Sequence, residues 1–216
     1  MCGRFYLTAT AAEIRKVLRV DAVPELAPRY NIAPEQLSPI VIAVDKGRSI
    51  HMARWGLVPS WSRDLSLGAG MINAHAETLE EKPAYRTAFQ TQRCLVLANG
   101  FYEWQTKGAN KHPYKMALRN GAVLAFAGLW EKWEPENGEP VETFAIITTQ
   151  ANKLISQVNE RMPVIIAPAD YQRWLTGPPN TAKRLLFPYT GGMTIAAVSD
   201  RVINVKNDDA ELLRTT

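Results

Sequence analysis

Runs rich in β-branched and aromatic residues recur along this chain, at residues 39–44, 50–57, 94–104, 114–119, 122–130, 143–148, 163–167 and 193–199. Such side chains fit the pleated, half-buried surface of a strand, so a strand-dominated fold is expected. Asn120-Gly121 between two of the runs predicts a type I′ hairpin, and Glu136-Asn137-Gly138 a longer turn before the run at 143. Helical signals are fewer. Thr10-Ala11-Ala12-Glu13 reads as a capping box ahead of Ile14, Val17 and Leu18 at helical spacing, which predicts a short helix ending near Val20. Other helices are expected over 77–90, where Pro83 would end or bend the first part, over 170–175 and over 152–158. Strands following one another in hairpins, rather than alternating with helices, indicate an α+β chain. The expectation is a single domain over residues 1–216, built on mainly antiparallel, barrel-like β-sheets with a few flanking helices.

Composition sets outer bounds on function. Apolar residues make up 46% and charged residues 21% of the 216, which excludes a disordered tail, a collagen-like repeat and a membrane-spanning chain. No apolar run approaches the roughly 18 residues of a membrane span. The opening MCGRFYLTAT lacks the basic-then-apolar layout of a signal peptide, so a cytoplasmic address is expected. A formal charge of +4 is compatible with nucleic acid but decides nothing alone. Cys2 and Cys94 are expected to be free thiols. His51, His75 and His112 are scattered without metal-ligand spacing, so neither metal nor cofactor is expected.

Cys2 carries the most specific chemistry. Aminopeptidases remove an initiator methionine when the next side chain is small, so the mature chain is expected to begin at Cys2, with an amine and a thiol on adjacent carbons. An α-amino group, with a pKa of about 7.7–8.0, is roughly a tenth unprotonated at pH 7, far more than a lysine. It can attack an aldehyde to give an imine, and the thiol can then close a five-membered thiazolidine ring. Position alone fits equally a small residue at a frayed end.

The rest of the chain shifts that balance. Cys2-Gly3-Arg4-Phe5, Arg29-Tyr30-Asn31-Ile32-Ala33-Pro34 and Trp55-Gly56-Leu57-Val58-Pro59-Ser60-Trp61 are followed by Ile72-Asn73-Ala74-His75-Ala76-Glu77-Thr78 and Asn99-Gly100-Phe101-Tyr102-Glu103-Trp104. Then come Ala127-Gly128-Leu129-Trp130-Glu131, Thr148-Thr149 to Asn152, Arg161-Met162-Pro163-Val164 and Val205-Lys206-Asn207. In this ordered series, which spans nearly the whole chain, the protein resembles the SRAP family, the SOS-response-associated peptidase domain.

The resemblance implies a sensor of abasic sites in single-stranded DNA that crosslinks itself to them through the terminal cysteine, with abasic-site lyase activity and self-removal of Met1 as further activities. It implies Glu103 as proton shuttle, Asn73 beside the cysteine, and Asn159 at the position of an active-site histidine. For DNA it offers Arg4, Arg161 and Lys206 as phosphate contacts, and Pro34, Trp61 and Trp104 to stack on or wedge between bases, with His75 and Thr149 in the same set. The residues themselves agree in part: Glu103, between Tyr102 and Trp104, is a carboxylate expensive to bury. Asn73 equally fits a turn asparagine. Trp55, Trp130, Trp133 and Trp174 read as packing. The implied partner is single-stranded DNA carrying abasic sites, bound by a monomer that associates with the nucleoid and with no membrane.

Two departures matter. The family's Ile-His-Asp-Arg-Met-Pro is Val158-Asn159-Glu160-Arg161-Met162-Pro163 here, and its Asn-Ala-Arg is Asn73-Ala74-His75. Asparagine can hydrogen-bond but takes no proton at neutral pH, so capture by Cys2 and Glu103 is expected to survive while turnover, lyase activity or release changes. His75 is a candidate substitute for the missing histidine. Two other readings start from the same residues. Class II glutamine amidotransferases also expose an N-terminal Cys-Gly as acyl nucleophile, but typically continue Cys-Gly-Ile, whereas Arg4-Phe5 follows here. A single-strand-binding module with an inert terminus would bind DNA indifferently to Cys2.

Overall fold

The strands divide between two sheets. The computed structural model describes residues 2–20, 22–108 and 110–216. Met1, whose removal the sequence leads one to expect, lies outside them. In chain order the strands are β1 (Phe5–Leu7), β2 (Arg29–Ile32), β3 (Leu37–Val44), β4 (Gly47–Trp55), β5 (Asn73–His75), β6 (Arg93–Ala98) and β7 (Gly100–Lys107). They continue with β8 (Asn110–Leu118), β9 (Leu124–Trp133), β10 (Val141–Gln150), β11 (Arg161–Pro163), β12 (Ile165–Ile166) and β13 (Met193–Ala197). The helices are α1 (Ala11–Leu18), α2 (Pro83–Thr91), α3 (Tyr171–Thr176) and α4 (Pro179–Lys183).

One sheet has the order β13-β8-β7-β1-β2 and is antiparallel throughout. In the other, β4, β3, β6 and β9 follow β10, and a further β9–β10 pairing brings the strands back to their start. The result is barrel-like, with β10 parallel to β4 and β5 and the remaining pairings antiparallel. The α+β, mainly antiparallel architecture expected from the strand runs is the one observed. None of its described helices is long and apolar enough to cross a membrane.

Local signals fared unevenly. The capping box forms: the Thr10 hydroxyl accepts from the Glu13 N–H and the Glu13 carboxylate accepts from the Thr10 N–H, starting α1 at Ala11. Pro83, expected to end or bend a helix, instead opens α2 from its first turn, where a missing N–H goes unnoticed. The stretch 152–158 holds only a 3₁₀ turn, Ile155–Gln157. The single strand predicted over 94–104 is two strands in different sheets. Asn99 diverts the chain between them, donating its N–H to Tyr6 O while its Oδ1 accepts from the Thr8 and Ala9 N–H groups. The Asn120-Gly121 hairpin does not form either. The pair does turn the chain, with Gly121 at φ 67°, but β8 and β9 on either side belong to different sheets. The hairpin is formed by β7 and β8, in register from Gly100 opposite Ala117 to Lys107 opposite Asn110.

Aromatic rings join the sheets. Phe5 of the five-stranded sheet meets Trp55 and Phe126 of the ring edge-on, with centroids 5.1 and 6.0 Å apart, and Phe101 meets Phe126 at 5.9 Å. All four are fully buried, so each pair adds about 0.5–1.5 kcal/mol to the burial of its surface. Cys2 and Cys94 are buried free thiols.

A segment after residue 199 is fastened across β2 by one buried amide. Asn31 Nδ2 donates to the carbonyls of Val202, Asn204 and Asn207 at 3.2, 3.1 and 2.8 Å, and its Oδ1 accepts from Arg4 Nη1 at 3.0 Å. Asn31→Ala strands these groups, and should destabilise by about 2–3 kcal/mol. A thermal melt should show the midpoint lowered by about 5–10 °C. An unchanged midpoint would mean that other contacts hold the segment.

Candidate active site

Strand register brings the start of the chain to the site. Phe5 lies opposite Phe101 and Tyr6 opposite Gly100, and the Tyr102 N–H donates to Arg4 O at 2.9 Å. Glycine is required at position 100, because a Cβ there would sit 2.3 Å from Met116 O and 2.4 Å from the Tyr6 hydroxyl. This alignment carries residues 2–4 alongside Glu103. From the ring, β5 lies parallel to β10 with Asn73 opposite Ile146, and Asn73 Nδ2 donates to Cys2 O at 2.7 Å. The Tyr85 hydroxyl on α2 steadies this strand by donating to Asn73 O at 3.1 Å. Asn73 Oδ1 is buried with no partner among the described residues, which leaves an acceptor beside the Cys2 backbone.

Burial sets the proton inventory. Glu103 is 2% exposed, and loss of solvent pushes its carboxyl from an ordinary 4.5 up to about 7. Asn159 opposes that rise, its Nδ2 donating to Glu103 Oε2 at 2.9 Å. The orientation of this amide follows from its other end: Asn159 Oδ1 accepts the Arg161 N–H at 3.0 Å, so only the NH₂ can face the carboxylate. The Cys2 thiol is wholly buried, and burial, then the charge of Glu103, pushes it far above its usual value. At neutral pH the thiol therefore keeps its proton, while the carboxyl exists in both forms.

A cavity of about 460 Å³ opens beside these groups, lined among others by Arg4, Glu103, Trp104, Lys111, Asn159 and Ile203. The Arg4 guanidinium lies 5.9 Å from the Trp104 ring centroid and donates to Gly3 O, Asn31 Oδ1 and Val202 O. The structure thus brings Cys2, Asn73, Glu103, Asn159, Arg4 and Trp104 together. Arg161 adjoins through Asn159. His75 is half-buried opposite Thr148, and burial, then the Arg161 charge, hold its imidazole below the usual value, leaving it neutral at pH 7. Pro34, Trp61, Thr149 and Lys206 are not among the described residues lining the cavity. Trp61 is 66% exposed, Lys206 is exposed and Thr149 is buried in β10. Sequence reasoning missed Lys111 and Ile203, which carry no motif of their own, and Asn31, whose place in Arg29-Tyr30-Asn31-Ile32-Ala33-Pro34 was the available signal.

Similarity to known proteins is extensive. The chain is 40% identical to the abasic site processing protein YoaM of Bacillus subtilis, over 99% of this chain and 97% of that one. It is 28% identical to the abasic site processing protein HMCES of Xenopus tropicalis, over 99% of this chain and 78% of that one. An X-ray structure of a protein from Bacteroides thetaiotaomicron superposes with a TM-score of 0.88 at 27% identity, each chain covered in full. The family model described as SOS response associated peptidase (SRAP) matches residues 1–205, and the chain belongs to the SRAP family.

Proposed function

We propose that this protein processes abasic sites in single-stranded DNA, capturing the open-chain sugar on the amine and thiol of Cys2 once Met1 is gone. The observation that carries this reading is Glu103, a buried carboxyl poised near neutrality beside the cysteine. An abasic deoxyribose equilibrates with an aldehyde. The Cys2 amine adds to its C1′, and the resulting carbinolamine loses water with a proton supplied by Glu103. The thiol sulfur then adds to the imine carbon while its proton passes to the imine nitrogen. The balance is aldehyde plus aminothiol to thiazolidine plus water. Before ring closure, the imine also acidifies the C2′ hydrogen, which opens a route to strand cleavage by loss of the 3′ phosphate. Relatives that share most of the chain are named abasic site processing proteins, which supports the substrate class.

Arg4 and Trp104 line the cavity with a cation and an aromatic face, the pair a strand with unpaired bases calls for. Stacking tolerates any base, which suits a sensor of damage in any sequence.

Asn159 limits the proton traffic. Its amide is bonded at both ends and can only donate to Glu103, so steps that need a second acid–base group should be slow. Asn159→His should speed adduct formation, strand cleavage or reversal by roughly 10- to 1000-fold, within what general acid–base groups contribute. If His75 already serves, His75→Ala is the more damaging change. Single-turnover rates of the two variants decide between them, and silence in both would assign proton transfer to Glu103 and water.

The proposal is tested with three single-stranded oligonucleotides: one with an abasic site, one intact, and one whose abasic site has been reduced to an alcohol. Only the first should shift the protein on a denaturing gel. An equal shift with the reduced strand, which has no aldehyde, would refute capture.

A further inference from the structure

Arg161 leaves β11 with its guanidinium already engaged. Nη1 and Nη2 donate to the two carboxylate oxygens of Glu77 at 3.1 and 2.9 Å, and Nη2 also donates to Thr148 O at 2.6 Å. Two parallel N–H donors on two oxygens of one anion is the geometry in which arginine takes a phosphate. The other edge of the guanidinium is closed, because Nε is buried with no partner among the described residues. A DNA phosphate seeking Arg161 must therefore take the edge that Glu77 holds.

The carboxylate is the partner free to leave. Glu77 stands on the 3₁₀ turn Ala76–Thr78 with its side chain 45% exposed, against 19% for Arg161. Two residues earlier stands His75, so no second guanidinium backs Arg161 from that position.

We infer that Glu77 is an internal stand-in for a DNA phosphate, whose carboxylate competes with the strand for the Arg161 fork and so weakens binding to intact single strands. The inference rests on Arg161 as a phosphate ligand of the proposed DNA substrate. An intact strand is held by non-covalent contacts alone and loses affinity to this competitor in full. An abasic strand ends in a covalent bond and loses only speed. Glu77 is in this sense a specificity-determining residue, raising the discrimination between damaged and undamaged DNA.

The test is anisotropy of an intact single-stranded oligonucleotide against wild type, Glu77→Gln, Glu77→Ala, Arg161→Ala and the Gln/Ala double variant over a salt series, with a thermal melt of each to confirm folding. Both Glu77 variants should bind about 3- to 10-fold tighter at low salt. The slope of log affinity against log salt should steepen by up to about 0.7, one phosphate contact on a single strand. Arg161→Ala should erase the gain. If the Glu77 variants bind no tighter while Arg161→Ala alone weakens binding, Glu77 merely positions the arginine and the inference is wrong. If Arg161→Ala is silent in both backgrounds, Arg161 is no phosphate ligand and the inference falls, whereas adduct formation on the denaturing gel still judges capture by Cys2 separately.

Discussion

Cys2→Ala is expected to abolish the denaturation-resistant adduct with an abasic strand, the largest effect any single substitution should have here. An alanine terminus keeps the amine but has no sulfur to close the ring, so capture stops at an imine that hydrolyses on denaturation. Cys2→Ser should likewise give at most an imine that borohydride can trap, because its hydroxyl closes a less stable ring. Cys94→Ala should leave capture intact, since Cys94 is a buried thiol in β6 packed against Gly128, where a Cβ would lie 2.8 Å from its sulfur. Loss of the adduct in Cys94→Ala and its survival in Cys2→Ala would reverse the assignment. Gel quantification of all three variants on one substrate decides it.

Glu103→Gln should come next, slowing capture by roughly 10²- to 10⁴-fold, the usual contribution of a positioned acid–base group. Glutamine preserves the shape and can still accept from Asn159 Nδ2, so the loss would report the proton and not the packing. A pH–rate profile adds a second signature. The wild-type limb set by a carboxyl near pH 7 should vanish in the variant, while the limb set by the terminal amine remains. Stability should move the other way. Because the folded value lies above the ordinary 4.5, the carboxyl's contribution is full below pH 4.5 and lost as pH rises through about 7. Wild type should therefore lose stability relative to Glu103→Gln across that window, and nothing further above it. Denaturant midpoints at pH 4 and pH 8 would show this. A variant less stable than wild type at pH 8 but not at pH 4 would mean that the ionised carboxylate is needed for folding, which would contradict this account.

What the sequence disclosed, and what it withheld, follows the range of the interactions. The Thr10–Glu13 capping box is a four-residue event and forms as read. The strand class was legible because β-branched runs respond to burial wherever they pair. Pairing itself was not. Asn120-Gly121 turns the chain, yet its flanking strands find partners in separate sheets, and the unbroken run through Asn99 conceals a change of sheet made by a single side chain. In the site, Cys2, Asn73, Glu103 and Asn159 could be named one by one from motif and chemistry. Their mutual bonds could not, since Asn73 reaches Cys2 over 71 residues of sequence and Asn159 reaches Glu103 over 56. The Glu77–Arg161 fork and the hold of Asn31 on residues 202–207 were hidden for the same reason. Each joins residues too far apart in sequence for any spacing rule.

The most direct measurement is the mass and position of the covalent link. After reaction with an abasic strand and digestion of protein and DNA, the modified peptide should begin at Cys2 without Met1. It should carry the sugar remnant less one water and resist borohydride, as a closed thiazolidine must. A remnant on a lysine or on Cys94, or a Cys2 adduct that borohydride reduces quantitatively, would contradict the terminal aminothiol as the capturing group.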